Sequence, residues 1–80
     1  MNTEVIRSVL LAAAELIERQ GWSDRLDLAS AIYKASPEPE IHVQTVAAMH
    51  AFLGSPLWRW NDAPGRVASD VVCALREAAS

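Results

Sequence analysis

The chain contains very little cysteine, and this limits how it can be stabilised. Cys73 is the single cysteine among 80 residues, so no internal disulfide can form. Domains that depend on disulfides belong to oxidising compartments, whereas a chain with one thiol suits the reducing cytoplasm. We therefore expect a cytoplasmic protein with a single domain over residues 1–80, stabilised by packing.

Long apolar runs are also missing. The longest one extends from Val9 to Ala14, far short of the roughly 20 residues that a membrane-spanning helix needs. The N-terminus has no basic stretch ahead of an apolar one, which a signal peptide requires. We expect neither a membrane span nor a cleaved leader.

Positive charge is scarce. Seven Lys and Arg stand against ten Asp and Glu, which gives a net charge of −3. Proteins that bind nucleic acids normally present a basic surface to the phosphates. The charge balance therefore argues against nucleic-acid binding. This function remains the second hypothesis because Trp58-Arg59-Trp60 has the composition of a segment that stacks on single-stranded bases.

Sequence motifs that carry catalysis are absent. The three glycines all fall at predicted helix ends or turns, and none belongs to a phosphate-binding loop. The sequence has no paired-carboxylate motif and no serine-hydrolase elbow. We expect no enzymatic activity and no cofactor.

The histidines and the cysteine are the remaining candidates for chemistry. His42 and His50 lie eight residues apart, without Cys, Asp or Glu at ligand spacing, and we predict no metal site. We interpret His42 as half-buried and His50 as solvated. No motif supplies Cys73 with a base, so we interpret it as a packing residue or an exposed, unreactive thiol.

Apolar residues recur at the three- and four-residue steps of an amphipathic helix, and no segment alternates as a strand does. The predicted helices cover about residues 3–20, 24–35, 39–53 and 63–79. Four helices with short connections indicate an all-α fold, either a compact four-helix bundle or an orthogonal helical array. The predicted core face of the third helix consists of Ile41, Thr45, Ala48, Met49, Phe52 and Leu53.

Several residues are predicted to mark the ends of the first two helices. Asn2 or Thr3 can cap the first helix, and Gly21 is placed to end it in a left-handed conformation. Trp22 is expected to fold back onto the end of that helix. Ser23 or Asp24 is the predicted N-cap of the second helix.

The stretch from Trp58 to Arg66 is interpreted first as a structural connector. Asp62 is the predicted N-cap of the last helix, and Pro64 and Gly65 are predicted to shape its first turn. We expect Trp60 to pack against the first and third helices, and Asn61 to hydrogen-bond within the turn.

Four residues are candidates for binding a partner. Leu11 falls on the charged face of the first helix, where an apolar side chain has no core to join. Trp58, Arg59 and Arg66 are of the types enriched in interface hot spots. In a domain this small, however, Trp58 and Trp60 are more readily explained as core residues. In an extended segment both would face the same side and could be buried together, whereas in a turn-like segment one is expected to be buried and the other exposed.

Three stretches also carry a family resemblance. They are Leu10 to Trp22, a helix that ends in Gly-Trp; the Trp-Asn-Asp-x-Pro-Gly-Arg run from Trp60 to Arg66, followed by Val67 to Ala79; and, more weakly, Leu28 to Ile32. The chain resembles a small family of uncharacterised proteins from actinobacteria and their phages. Members carry a Cys-Ala-x-Gly-Ala-like sequence at the third stretch and a longer polar insert before it, so this chain is similar to a short or divergent member. The resemblance implies an all-helical domain of unknown function and transfers no catalytic residue, cofactor or ligand.

These observations favour a protein-interaction module. The hypothesis is a small helical protein, encoded by a phage or prophage, that acts on a host protein or associates with itself. A nucleic-acid-binding regulator is the alternative.

Overall fold

The protein is all-α, and its structure, a computed structural model, describes residues 3–80. Its helices are α1 (Thr3–Gln20), α2 (Leu28–Ala35), α3 (Pro39–Leu53), α4 (Leu57–Asn61) and α5 (Ala68–Ala79). No β-strand occurs within residues 3–80. The predicted all-α class is confirmed, and the structure adds one short helix, α4, to the four that were predicted.

The first helix is the central element of the fold. It packs most extensively along α5 and also contacts α2 and α3. Ala13 and Ala14 on α1 are fully buried, and such small side chains let neighbouring helices approach closely. Two polar contacts join the same helices at the surface: Arg7 Nε donates to the Ala79 carbonyl at 2.7 Å, and Arg76 donates to Glu18.

The end of α1 follows the prediction. Gly21 has φ of +88°, and its N–H donates to the Ile17 carbonyl oxygen at 2.8 Å. This left-handed conformation favours glycine because a Cβ would be strained there. Of the two predicted N-cap residues, Thr3 is instead the first residue of α1, and Asn2 lies outside the described residues.

The second helix begins at Leu28, four residues later than predicted. Ser23 and Leu26 close a turn with two reciprocal backbone hydrogen bonds of 3.2 and 3.1 Å. This turn uses the backbone groups that a helix starting at residue 24 would need. The predicted N-cap, Ser23 or Asp24, is therefore wrong; Asp27 is the N-cap, and its carboxylate accepts from Ser30 N at 2.8 Å.

The last helix begins at Ala68 rather than near residue 63, and the assignment of Asp62 as its N-cap is wrong. Ala63-Pro64-Gly65-Arg66 forms a tight turn in which Arg66 N donates to Ala63 O at 3.1 Å. Pro64 and Gly65, with φ of +82° at Gly65, occupy the positions that proline and glycine favour in a type II turn. They therefore shape a turn that ends before the helix, not its first turn.

Asp62 lies at the end of α4, and a different carboxylate stabilises the start of α5. Asp62 follows the last residue of α4, and its N–H donates to the Trp58 carbonyl at 3.0 Å. The start of α5 is stabilised by Asp70, whose carboxylate accepts from Val67 N at 3.2 Å.

The third helix presents only part of its predicted core face to the interior. Thr45 and Met49 are fully buried, and Thr45 Oγ1 donates to the Ile41 carbonyl at 2.7 Å. Phe52, predicted on the same face, is 49% exposed. It lies in the last turn of α3, where Leu53 rather than Phe52 packs against the core.

Candidate functional site

The connector that includes Trp60 and Asn61 is a structural junction. Asn61 is buried, and its Oδ1 accepts from Trp22 Nε1 at 2.8 Å and from Leu28 N at 3.1 Å. Its Nδ2 donates to Asp62 Oδ1 at 3.0 Å. One amide thus links the segment after α1, the start of α2 and the end of α4. The prediction placed the partners of Asn61 within its own turn, whereas two of the three lie more than thirty residues away.

Arg66 belongs to the same junction. Its guanidinium carbon lies 3.7 Å from the centroid of the Trp60 ring, and its Nε donates to the Trp60 carbonyl at 2.9 Å. Both side chains are half-buried. Arg66, a partner-binding candidate from sequence, is therefore engaged within the chain, where its cation over the indole face and its hydrogen bond hold the turn against α4.

Trp58 and Arg59 lie on the exposed side of α4. The opposite side of this short helix is fixed in the core by Leu57 and Asn61, both buried. Trp58 is 63% exposed, and the Arg59 guanidinium carbon lies 5.6 Å from its ring centroid. The structure therefore presents both candidates on a helix whose opposite side is buried. It leaves Trp58 exposed and Trp60 half-buried, which is the alternative expected for a turn-like segment.

A larger exposed apolar surface lies on α3, which the sequence-based list of candidates missed. We define the outer face of α3 as Glu40, Val43, Ala47, His50 and Ala51; all five are exposed, and Val43 is 65% exposed. The signal in the sequence was the scarcity of charge: Glu40 is the single Asp, Glu, Lys or Arg among the 15 residues of α3. A helix that is apolar around most of its circumference normally has partners on more than one side.

The remaining partner-binding candidate, Leu11, is 44% exposed on α1. Its neighbours one helical turn away, Arg7 and Glu15, are both exposed and charged. Isolated apolar side chains of this kind are ordinary on protein surfaces. Leu11 thus lies where the sequence placed it, without an apolar surface around it.

Cations are dispersed over the surface described by residues 3–80. Arg7, Arg66 and Arg76 have the partners given above, and the other four lie on three different helices or in the turn before α2. These four are Arg19, Arg25, Lys34 and Arg59. Such an arrangement offers no continuous basic track for a phosphate backbone.

The histidines occupy the environments that the sequence predicted. His42 is half-buried, with its ring edge-to-face against Tyr33 at a centroid distance of 5.1 Å, and His50 is exposed. Within the described part of the chain, no group of three His, Cys, Asp or Glu residues is arranged to hold a metal ion.

Cys73 is exposed in an open groove of about 500 Å³ between α1 and α5. The lining comprises Ile17, Glu18, Gly21, Ala68, Ser69, Val72, Cys73 and Arg76. Neither histidine belongs to it, so the thiol has no imidazole base beside it. Of the two interpretations from sequence, the exposed thiol fits this position.

The comparison with known families covers the entire chain. The model of a family of unknown function, DUF6197, matches residues 1–80. The chain belongs to this family. No curated protein and no solved structure matches it. Within residues 3–80, no helix is both long enough and apolar enough to cross a membrane.

Proposed function

We propose that this member of DUF6197 is a small protein-interaction module whose docking surface is the outer face of α3. One observation carries the proposal: α3 is apolar around most of its circumference, but the fold covers only the side that includes Thr45 and Met49. Covering the other side removes apolar surface from water, which is the main favourable term in protein association.

The shape of this face also supports a role in docking. Val43, Ala47 and Ala51 follow one another at intervals of one helical turn, so they form a continuous stripe along the helix. Ala47 and Ala51 add little relief, which lets the backbone of a partner helix come close.

Trp58 and Arg59 provide a second, smaller contact on α4. An exposed indole with a cation beside it can enter an apolar pocket while the guanidinium meets a carboxylate at its rim. We propose that these two residues contribute to partner choice, whereas Arg66 contributes to stability.

The nucleic-acid hypothesis has the exposed Trp58–Arg59 pair in its favour and the dispersed cations against it. A gel-shift series with single-stranded DNA across salt concentrations tests it, because phosphate contacts produce a steep salt dependence. Absence of binding at low salt removes this alternative.

The setting of the protein is part of the proposal. The single cysteine favours the cytoplasm, and the Gly-Trp and Trp-Asn-Asp-x-Pro-Gly-Arg stretches support an origin in an actinobacterium or one of its phages. Lack of enzymatic activity remains a prediction from the missing catalytic motifs.

Affinity purification from an actinobacterial lysate tests the proposed function. The bait is the tagged protein, with Ala47→Arg as the variant and Ala12→Arg as the matched control, since Ala12 is an exposed alanine in the middle of α1. We expect proteins captured by the wild type and the control, or additional copies of the chain itself, to be depleted from the Ala47→Arg sample. Equal recovery by all three baits, together with a monomeric mass in light scattering, contradicts the proposal.

A further inference from the structure

We propose that the outer face of α3 binds the same face of a second copy of this chain, in an antiparallel arrangement about a two-fold axis. This inference rests on the docking function proposed above and names its partner. A two-fold interface brings one surface against itself, so the surface must be complementary to its own rotated copy. The order of residues along α3 meets this requirement.

The polar groups of the face stand at its two ends. Glu40 lies in the first turn of α3 and His50 in its last turn, and both are exposed. When two antiparallel helices are centred midway between these positions, each Glu40 lies level with His50 of the other copy. A carboxylate accepts hydrogen bonds and an imidazole N–H donates one, so the contact is made twice. A parallel pair in register would instead place the two Glu40 carboxylates side by side.

The same register matches the apolar residues. Val43 and Ala47 are equally far from the centre, so the larger side chain of each copy lies level with the smaller side chain of the other. This alternation of large and small side chains lets the two helix axes approach to roughly 8–10 Å, the distance typical of packed helices. The antiparallel orientation also aligns the helix dipoles favourably.

The size of the surface sets the strength of the association. A 15-residue helix is about 22 Å long, so one helix pair covers less than the roughly 800 Å² per partner of a standard stable interface. We therefore infer a weak dimer, with a Kd in the micromolar range or above, that responds to protein concentration.

Sedimentation equilibrium on the full chain tests this arrangement over a concentration series from micromolar to millimolar. We expect the wild type and Ala12→Arg to pass from monomer to dimer, and Ala47→Arg to bind its copy at least tenfold more weakly. Val43→Lys is expected to act in the same way as Ala47→Arg. Circular dichroism checks that each variant keeps the helical content of the wild type. A wild type that stays monomeric at the highest concentration, or an Ala47→Arg variant that dimerises equally well, overturns the proposal.

A charge-matched pair of variants tests the antiparallel register. His50→Glu places carboxylates level with Glu40 of the other copy, and we expect at least a tenfold increase in Kd. Glu40→Gln added to His50→Glu removes the repulsion and should restore most of the lost affinity. If Glu40→Gln rescues nothing, the antiparallel register is wrong.

The two levels of the proposal fail in different ways. If the wild type is monomeric and its captured lysate proteins are lost with Ala47→Arg but kept with Ala12→Arg, self-association is refuted and the docking function stands. A monomeric wild type whose captured proteins do not depend on Ala47 refutes both.

Discussion

The indole Nε1 of Trp22 donates a 2.8 Å hydrogen bond to Oδ1 of Asn61, joining the segment after α1 to the last residue of α4. The same oxygen accepts from the buried Leu28 N–H at 3.1 Å. The Leu28 N–H is buried and cannot turn to bulk water if the amide is removed, and the half-buried Trp22 indole loses its protein acceptor. Asn61 is therefore the residue on which the geometry of α2 and α4 depends most directly.

Asn61→Ala is expected to destabilise the protein by about 2–3 kcal/mol, since it leaves two donors without a partner. Trp22→Phe, which removes one donor and keeps most of the ring, should cost about 1 kcal/mol. Urea unfolding followed by circular dichroism gives both values. A loss below about 0.5 kcal/mol for Asn61→Ala would mean that the amide is not the anchor described here.

The caps of the helices give a second prediction, and it reverses the expectation from sequence. Asp27→Ala should lower stability by about 1 kcal/mol because the carboxylate of Asp27 caps α2. Asp62→Ala should cost less, about 0.5 kcal/mol, because Asp62 is exposed and follows α4: the variant loses the hydrogen bond from Asn61 Nδ2 but no helix cap. Melting temperatures of the two variants, measured side by side, decide between the two assignments. A larger effect at Asp62 than at Asp27 would restore the interpretation from sequence.

Local signals in the sequence predicted much of the fold. Gly21 and Gly54 ended α1 and α3 as expected, because a helix that closes in a left-handed residue selects glycine at one position. The five residues of α4 are too few to show helical periodicity, so this helix had no signal of its own. Pro64-Gly65 did carry a signal for a type II turn, but proline is also favoured in the first turn of a helix, and the sequence alone did not separate these two roles.

The candidate site could be predicted only in part. The exposure of Leu11 followed from its position among polar neighbours, whereas the sequence left open whether Trp58 is exposed. The partners of Asn61 depend on contacts between residues 33 and 39 positions apart, which no local pattern specifies. The outer face of α3 was missed because Val43, Ala47 and Ala51 fall outside the predicted core face and were not considered as a surface of their own, although one helix can turn only part of its surface to a core.

Arg66 and Arg59 offer a comparison between two arginines that lie near tryptophans. Arg66→Ala is expected to cost about 1–2 kcal/mol, because it removes a stacked cation and a hydrogen bond to the Trp60 carbonyl. Arg66→Lys should recover little, since an ammonium group cannot stack as a plane while donating from Nε. Arg59→Ala, at an exposed position, should stay within about 0.5 kcal/mol of the wild type. Urea unfolding of the three variants checks this order, and equal losses at Arg59 and Arg66 would contradict it.

The buried acceptor of Gln44 provides a prediction of increased stability. Its Oε1 is inaccessible to solvent and has no hydrogen-bond partner. A buried acceptor without a donor carries a desolvation cost of about 1–3 kcal/mol. Gln44→Met keeps the length of the side chain and removes the polar atom, so it should raise the midpoint of urea unfolding, and a lower midpoint would count against this description of Gln44.

Trp58 allows the exposed and the structural tryptophans to be separated in solution. Because Trp58 is 63% exposed, whereas Trp22 and Trp60 are half-buried, it should supply most of the fluorescence that acrylamide quenches readily. Trp58→Phe is expected to remove this component and shift the emission to shorter wavelength, while changing stability by less than about 0.5 kcal/mol. Trp60→Phe serves as the control: it should leave the quenchable component in place and lower stability, because Arg66 loses the indole over which it stacks. If Trp58→Phe lowers stability as much as Trp60→Phe does, the Trp58 side chain packs against the domain, and Trp58 and Arg59 cannot form the second docking contact.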